Sequence, residues 1–134
     1  MINNDYKYSK ETGLIIGLAM EVHRHLGSGF QEVIYQRALE KEFTKHLFPF
    51  KREFTMPVMY KGEKIGTRRV DFIVFDYISV ELKAVTKLEG AHFVQAINYL
   101  EIYNLEIGLL INFGSSSLQF KRLLNSKMVD QAYK

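Results

Sequence analysis

The 134-residue sequence contains no cysteine. That excludes a disulfide framework, thiolate-held zinc, iron–sulfur clusters and a cysteine nucleophile. Any catalytic metal here should be a hard, oxygen-bound cation. Proline is scarce: Pro49 and Pro57 stand alone, and no Pro/Ser-rich linker divides the chain. It reads as one domain over 1–134, with its core at about 13–125. Long apolar runs are missing as well. Glu21, His23, Arg24 and His25 interrupt the stretch that begins at Gly13, and Ile107 to Phe113 is far shorter than the ~20 residues of a spanning helix. The start, Met1-Ile-Asn-Asn-Asp-Tyr, lacks the basic opening and apolar run of a secretory signal. The expectation is a chain without a membrane segment, with the cytoplasm as default compartment. Neither sign of charge dominates. There are 18 Lys plus Arg against 15 Asp plus Glu, a net +3 that permits a polyanionic partner without demanding one. Composition is otherwise that of a globular domain able to bury a core without staples.

Hydrophobic spacing supplies the element order. Leu14, Ile15, Leu18, Ala19, Val22 and Leu26 recur at helical intervals after Ser9, a cap residue, and Gly27 suits the far end. A second helix is expected from about Phe30 to His46. The period then changes. Phe54, Met56, Val58 and Tyr60 alternate as an edge strand that tolerates Pro57, and Lys61-Gly62-Glu63-Lys64 suits a hairpin turn. Two strands are expected at about 67–75 and 78–85, joined near Asp76-Tyr77. Thr86 and Glu89 read as the capping box of a helix over about 87–103. Leu105 to Phe113 reads as a strand buried on both faces, and Leu118 to Leu124 as a last strand before a polar tail. The order α-α-β-β-β-α-β-β implies a mixed sheet packed by helices, with the strands at Val80 and Phe113 parallel through a crossover.

The chemistry concentrates in the segment from Arg69 to Val85. In the second of its strands Ser79, Glu81 and Lys83 share one face, and Val80, Leu82 and Ala84 the other. Asp71 joins Glu81 and Lys83 only if the two strands pair with even residue sums, as a three- or five-residue turn allows; a two-residue turn puts it on the wrong face unless a bulge intervenes. Two carboxylates converging there suit Mg²⁺, with Lys83 placed to orient a water or neutralise developing charge. The plain alternative is a cross-strand salt bridge on a solvated face. Three further features bear on this. His92, Gln95 and Tyr99 share one helical face apart from the stripe Phe93, Ile97 and Leu100. Glu32 falls on the apolar side of the second helix. Lys51, Arg52, Lys61, Lys64, Arg68, Arg69, Lys87, Lys121 and Arg122 crowd the middle and the last strand, and could track phosphates.

Asp71 followed by Glu81-Leu82-Lys83 resembles the PD-(D/E)XK nuclease signature, and Gln95-x-x-x-Tyr99 resembles the helix motif of its recombination-exonuclease branch. Gly29-Phe-Gln-Glu32-Val-Ile-Tyr35 is a full Gly-x-x-Glu-x-x-Tyr match, and the sequence is similar to the GxxExxY family within that superfamily. Val22 to Gly27, Tyr60-Lys-Gly62, His92-x-x-Gln95 and Gly108 to Gly114 match as well, so the resemblance runs over about 13–125. One departure is Val70, where the signature has proline before Asp71.

The resemblance implies an α/β, restriction-endonuclease-like core (α-β-β-β-α-β) and a Mg²⁺- or Mn²⁺-dependent nuclease acting on DNA. Asp71 and Glu81 would be metal ligands, the Leu82 carbonyl a third, Glu32 a further ligand directly or through water, Lys83 the catalytic lysine, and Gln95 a rim residue near it. His23, Tyr35, His92 and Tyr99 match family positions without an assignable role. Likeness to small Holliday-junction resolvases adds a homodimer and branched or single-stranded DNA as fold-level expectations. The competing reading is a nucleic-acid-binding module that keeps the fold without turnover. A helix-turn-helix at residues 14–46 ranks below both, since no basic recognition face follows the glycine turn.

Overall fold

Among the described residues eight elements follow one another in the order the periodicities predict: α1 (Ser9–Leu26), α2 (Glu32–Lys45), β1 (Phe50–Tyr60), β2 (Glu63–Val74), β3 (Ile78–Lys83), α3 (Gly90–Tyr103), β4 (Ile107–Asn112) and β5 (Gln119–Leu124). The computed structural model describes residues 8–127; the amino-terminal start and most of the polar tail read from sequence lie outside them. The strands form one sheet in the order β1-β2-β3-β4-β5. Only β3 and β4, joined through α3, are parallel. No helix among the described residues is long and apolar enough to cross a membrane.

Helices cover both sheet faces. On one, Ile15, Ile16, Ala19 and Val22 of α1 and Tyr35, Leu39 and Phe43 of α2 pack against Phe72, Val80, Leu82, Leu109, Ile111 and Phe113. On the other, Ala96 and Leu100 of α3 meet Leu110 and Leu123, and Tyr99 and Tyr103 meet Val70 and Ile73. With helices on both sides β3 and β4 bury every residue up to Lys83, which is why β4 reads as an unbroken apolar run.

Several boundaries differ from expectation for local reasons. α1 begins at Ser9 itself, with Tyr8 as the cap residue in the left-handed region. α2 starts at Glu32 rather than Phe30, because Gly29 takes φ 113 and the chain is still extended at Gln31. The Tyr35 hydroxyl holds that turn, donating to the Gly27 carbonyl at 2.5 Å and accepting from the Phe30 amide at 3.2 Å. β1 begins at Phe50, four residues early. α3 begins at Gly90, and its capping box is Glu89 with His92, whose Nδ1 accepts from the Glu89 amide at 2.9 Å; Thr86 lies upstream of it. Tyr99 is buried although its helical face is apart from the Phe93, Ile97 and Leu100 stripe, because α3 is wedged between the sheet and the root of the β1–β2 ribbon and is covered on two sides.

The close of β4 depends on Gly114. A Cβ there would fall onto the Val85 and Ala84 backbone. Beside it Asn112, fully buried, accepts from the Val85 and Gly114 amides and donates to the Val85 carbonyl and Gln119 Oε1. Gly114→Ala should cost about 3 kcal/mol or more, the upper end of overpacking penalties. Urea denaturation reads this as a lower midpoint with unchanged m value.

Candidate functional site

The turn after β2 decides whether the acidic residues meet. It has three residues, Phe75, Asp76 and Tyr77, the first two with positive φ. The resulting register pairs Phe72 with Val80, Ile73 with Ser79 and Val74 with Ile78, an even residue sum throughout. Asp71 is therefore brought opposite Glu81. Regular pairing stops one step short of them, and side chains replace the ladder. Leu82 N–H donates to Asp71 Oδ2 at 2.8 Å, and Asp71 N–H points at Glu81 Oε1 at 3.4 Å.

The ribbon also turns over at this point. Phe50, Phe72 and Val74 pack on the α1/α2 side, whereas Phe54, Met56 and Val70, at the same parity, pack on the α3 side. Glu53 takes φ 54 where the faces exchange, across from Asp71. The turnover explains how Asp71 reaches a helix on one face and a strand in the sheet: its Oδ1 accepts from Gln36 Nε2 of α2 at 2.8 Å. Gln36 is held in turn, its Oε1 accepting from Arg52 Nε at 3.2 Å, and Arg52 pairs with Glu40 at 3.2 Å.

Glu81 is 5% exposed, so its carboxyl does not lie on a solvated face. Burial first, then the Asp71 charge, pushes its carboxyl up to about 9. Burial also raises Asp71, against the opposing pull of Leu82, Gln36 and Lys83. Glu32, at the first position of α2, is raised by partial desolvation and then by Asp71, with Lys83 acting the other way. Lys83 Nζ donates to Gln95 Oε1 at 3.2 Å. Asp71, Glu81, Glu32, Lys83 and Gln95 are thus one electrostatic neighbourhood. A cleft of about 240 Å³ opens onto it, lined by Glu32, Val33, Gln36, Glu53, Arg69 and Asp71.

Among the described residues no group of three or more His, Asp or Glu is spaced to hold a metal ion. Facing carboxylates such as Asp71 and Glu81 are the donor type that a hard cation such as Mg²⁺ takes, one or two at a time with several waters kept. A desolvated carboxylate pair that resists ionising is also what a divalent charge would relieve.

A family model of the PD-(D/E)XK nuclease superfamily matches residues 9–123. This chain belongs to that superfamily. Its fold is correspondingly an α/β, restriction-endonuclease-like core. The crystal structure of SSO0001 is similar to it with a TM-score of 0.57 at 17% identity, over 94% of this chain and 66% of that one; the chain thus spans just under two thirds of that structure. A comparison with curated proteins finds no match. Superfamily membership supports nuclease-type function and a nucleic-acid substrate, and PD-(D/E)XK nucleases generally use divalent metals.

The other expected residues lie apart from the acids or support them. His23 Nε2 meets the Ser115 carbonyl at 3.0 Å, and Tyr35 stacks on Phe113 with centroids 4.6 Å apart, so both tie the α1–α2 turn to the end of β4. His92 caps α3. Tyr99 lies under Arg68, whose guanidinium carbon is 4.8 Å from its ring centre. Of the basic residues, Arg52 is committed to Gln36 and Glu40, and Arg122 donates to Thr12 at 3.0 Å. The sequence pattern assigns no role to Gln36 or Asn112. The signals were there: Gln36 is one helical turn from Glu32, and Asn112 ends an apolar strand.

Proposed function

We propose that this chain is a divalent-metal-dependent DNA nuclease of the GxxExxY group, with its active centre at Asp71, Glu81 and Lys83. The observation that carries the reading is the replacement of the β2–β3 ladder by the Asp71 and Glu81 carboxylates, beside a lysine held by Gln95. Asp71, Glu81 and the Leu82 carbonyl would hold Mg²⁺ or Mn²⁺, with Glu32 at the outer edge as a further ligand, directly or through water. When bound, the ion supplies an activated water and charge stabilisation at the scissile phosphate. Lys83 Nζ, its reach set by Gln95 Oε1, orients the attacking water and offsets negative charge growing on the phosphate. Gln36, fixed by Arg52, aims the Asp71 carboxylate. Sheet and α3 together exclude water from Glu81.

The test is cleavage of plasmid, single-stranded and four-way-junction DNA by wild type and Glu81→Ala, with Mg²⁺, Mn²⁺ or EDTA. Metal-dependent cleavage by wild type alone is expected. Equal behaviour of two folded proteins would sink the reading. Gln36→Ala should lower metal affinity or activity about 10–100-fold, the usual cost of losing a partner of a ligating group; manganese titration by calorimetry, run beside the cleavage assay, checks it.

A further inference from the structure

The net charge of the chain is not spread over it. From Phe54 to Arg69 there are four basic residues, Lys61, Lys64, Arg68 and Arg69, and one acid, Glu63, a net +3 equal to that of all 134 residues. The remaining 14 basic and 14 acidic residues cancel. This stretch is the outer part of the β1–β2 ribbon. From Pro57 to Thr67 every residue except half-buried Val58 is exposed, so both faces of the ribbon are in solvent.

A two-strand ribbon without a core is marginal alone, and this one is built to stand. Tyr103 Oη lies 2.7 Å from the Phe54 carbonyl and 2.9 Å from the Arg68 carbonyl, tying both strands to α3 at the root. Lys61 and Gly62, both at positive φ, make the two-residue turn that matches strand twist. Ile65 is the extra residue where the register shifts, a bulge that adds twist. At about 3.4 Å per residue the ribbon extends roughly 24 Å from Val70 to Glu63. Near its end stand three apolar side chains without a core: Met59, Tyr60 and Ile65, each more than half exposed. Lys61 Nζ sits 5.4 Å from the Tyr60 ring centre. At the other end Arg69, next but one to Asp71, lines the cleft.

An arm with positive charge and apolar tips could hold a second protein or a nucleic acid. β1 is a sheet edge that carries Lys51 and Pro57, features that discourage another chain from adding a strand. A duplex fits better. Its major groove, about 12 Å wide, admits a two-stranded β-ribbon and is walled by phosphates.

We propose that the Phe54–Arg69 ribbon is a duplex-DNA grip that enters the major groove, with Lys61 and Lys64 on the flanking phosphates and the exposed apolar side chains near its tip, Tyr60 foremost, against the groove. The inference rests on the nucleic-acid substrate of the nuclease reading. The ribbon holds duplex beside the cleft, and the Asp71 end of the same strand faces the bond to be cut.

The test compares the Lys61→Ala/Lys64→Ala double variant with Lys41→Ala/Lys45→Ala, which removes equal charge from exposed positions on α2. Binding of a fluorescent duplex is followed by anisotropy in EDTA across a salt series. For the arm double, the slope of log K against log salt should become shallower by about 2, and affinity at 0.1 M salt should fall about tenfold or more. The α2 double should keep the wild-type slope. In cleavage, the arm double should raise KM at unchanged kcat, since uniform binding is what it loses. Wild-type behaviour of the arm double, equal losses in both doubles, or a change in sedimentation at unchanged DNA binding would overturn the proposal. Wild-type cleavage alongside an unaffected arm double refutes the grip and leaves the nuclease reading standing. Arm-dependent binding without cleavage in any divalent metal does the reverse.

Discussion

Lys83→Ala should lose DNA cleavage by about 10²–10⁴-fold in kcat, the span of removing a positioned acid–base or charge-stabilising group, and should still bind manganese. Lys83 is not a ligand in this arrangement. Its effect on metal affinity is the difference of two opposed terms. Losing its positive charge favours a bound cation, but it also lets Asp71, Glu81 and Glu32 hold their protons more tightly. Gln95→Ala should act in the same direction more weakly, because Lys83 Nζ then loses the acceptor 3.2 Å away that fixes its reach. The distinguishing readout is the pH–rate profile. A positioning role for Gln95 moves the basic limb along with kcat, whereas a merely structural loss scales the whole profile. Single-turnover cleavage separates both from changes in product release.

Glu81→Gln should abolish cleavage and, without metal, make the protein more stable. The sign follows from the direction of the shift. Glu81 holds its proton up to about 9 in the folded state, against an ordinary 4.5. Between those values the folded chain binds more protons than the unfolded one, so stability falls as pH rises. Asp71 and Glu32, also raised, add to the same slope. Wild type without metal should therefore melt lower at pH 8 than at pH 5. Glu81→Gln should flatten that slope and exceed wild type at pH 8 by on the order of a few kcal/mol, or roughly 5–10 °C in Tm. Near pH 5 the two should be close. Added Mn²⁺ should raise the wild-type Tm at pH 8, where the carboxylates can be ionised by the ion, and leave the variant unmoved. Thermal melts by circular dichroism at both pH values, with and without Mn²⁺, check all four conditions.

The sequence carried the element order because each element has its own period, and helices on both faces left β3 and β4 as apolar runs. It also carried the Asp71/Glu81 question in conditional form: the answer hung on one turn. That turn is built by Phe75 and Asp76 at positive φ, a conformation that neither residue type advertises as glycine would. The exchange of faces at Glu53 and Asp71 was invisible for the same reason, since alternation along β1 and β2 continues unbroken through it. Tyr99 illustrates a different limit. A helical wheel separates its face from that of Leu100, but only the tertiary arrangement shows that α3 is covered on both. The role of Gln36 is not legible in the sequence because it depends on Arg52, which approaches from a strand 16 residues away. The residues of the Gly-x-x-Glu-x-x-Tyr stretch do separate tasks: Gly29 makes the turn, Tyr35 fastens it, and Glu32 is delivered to the first turn of α2 facing Asp71.

The most direct measurement is calorimetric titration of Mn²⁺ into four proteins at pH 8: wild type, Asp71→Asn, Glu81→Gln and Lys83→Ala. The account predicts saturable binding to wild type and Lys83→Ala, and its loss in both carboxylate variants with their folds intact. Saturable binding that survives in Asp71→Asn and Glu81→Gln, or no binding to wild type, would contradict it.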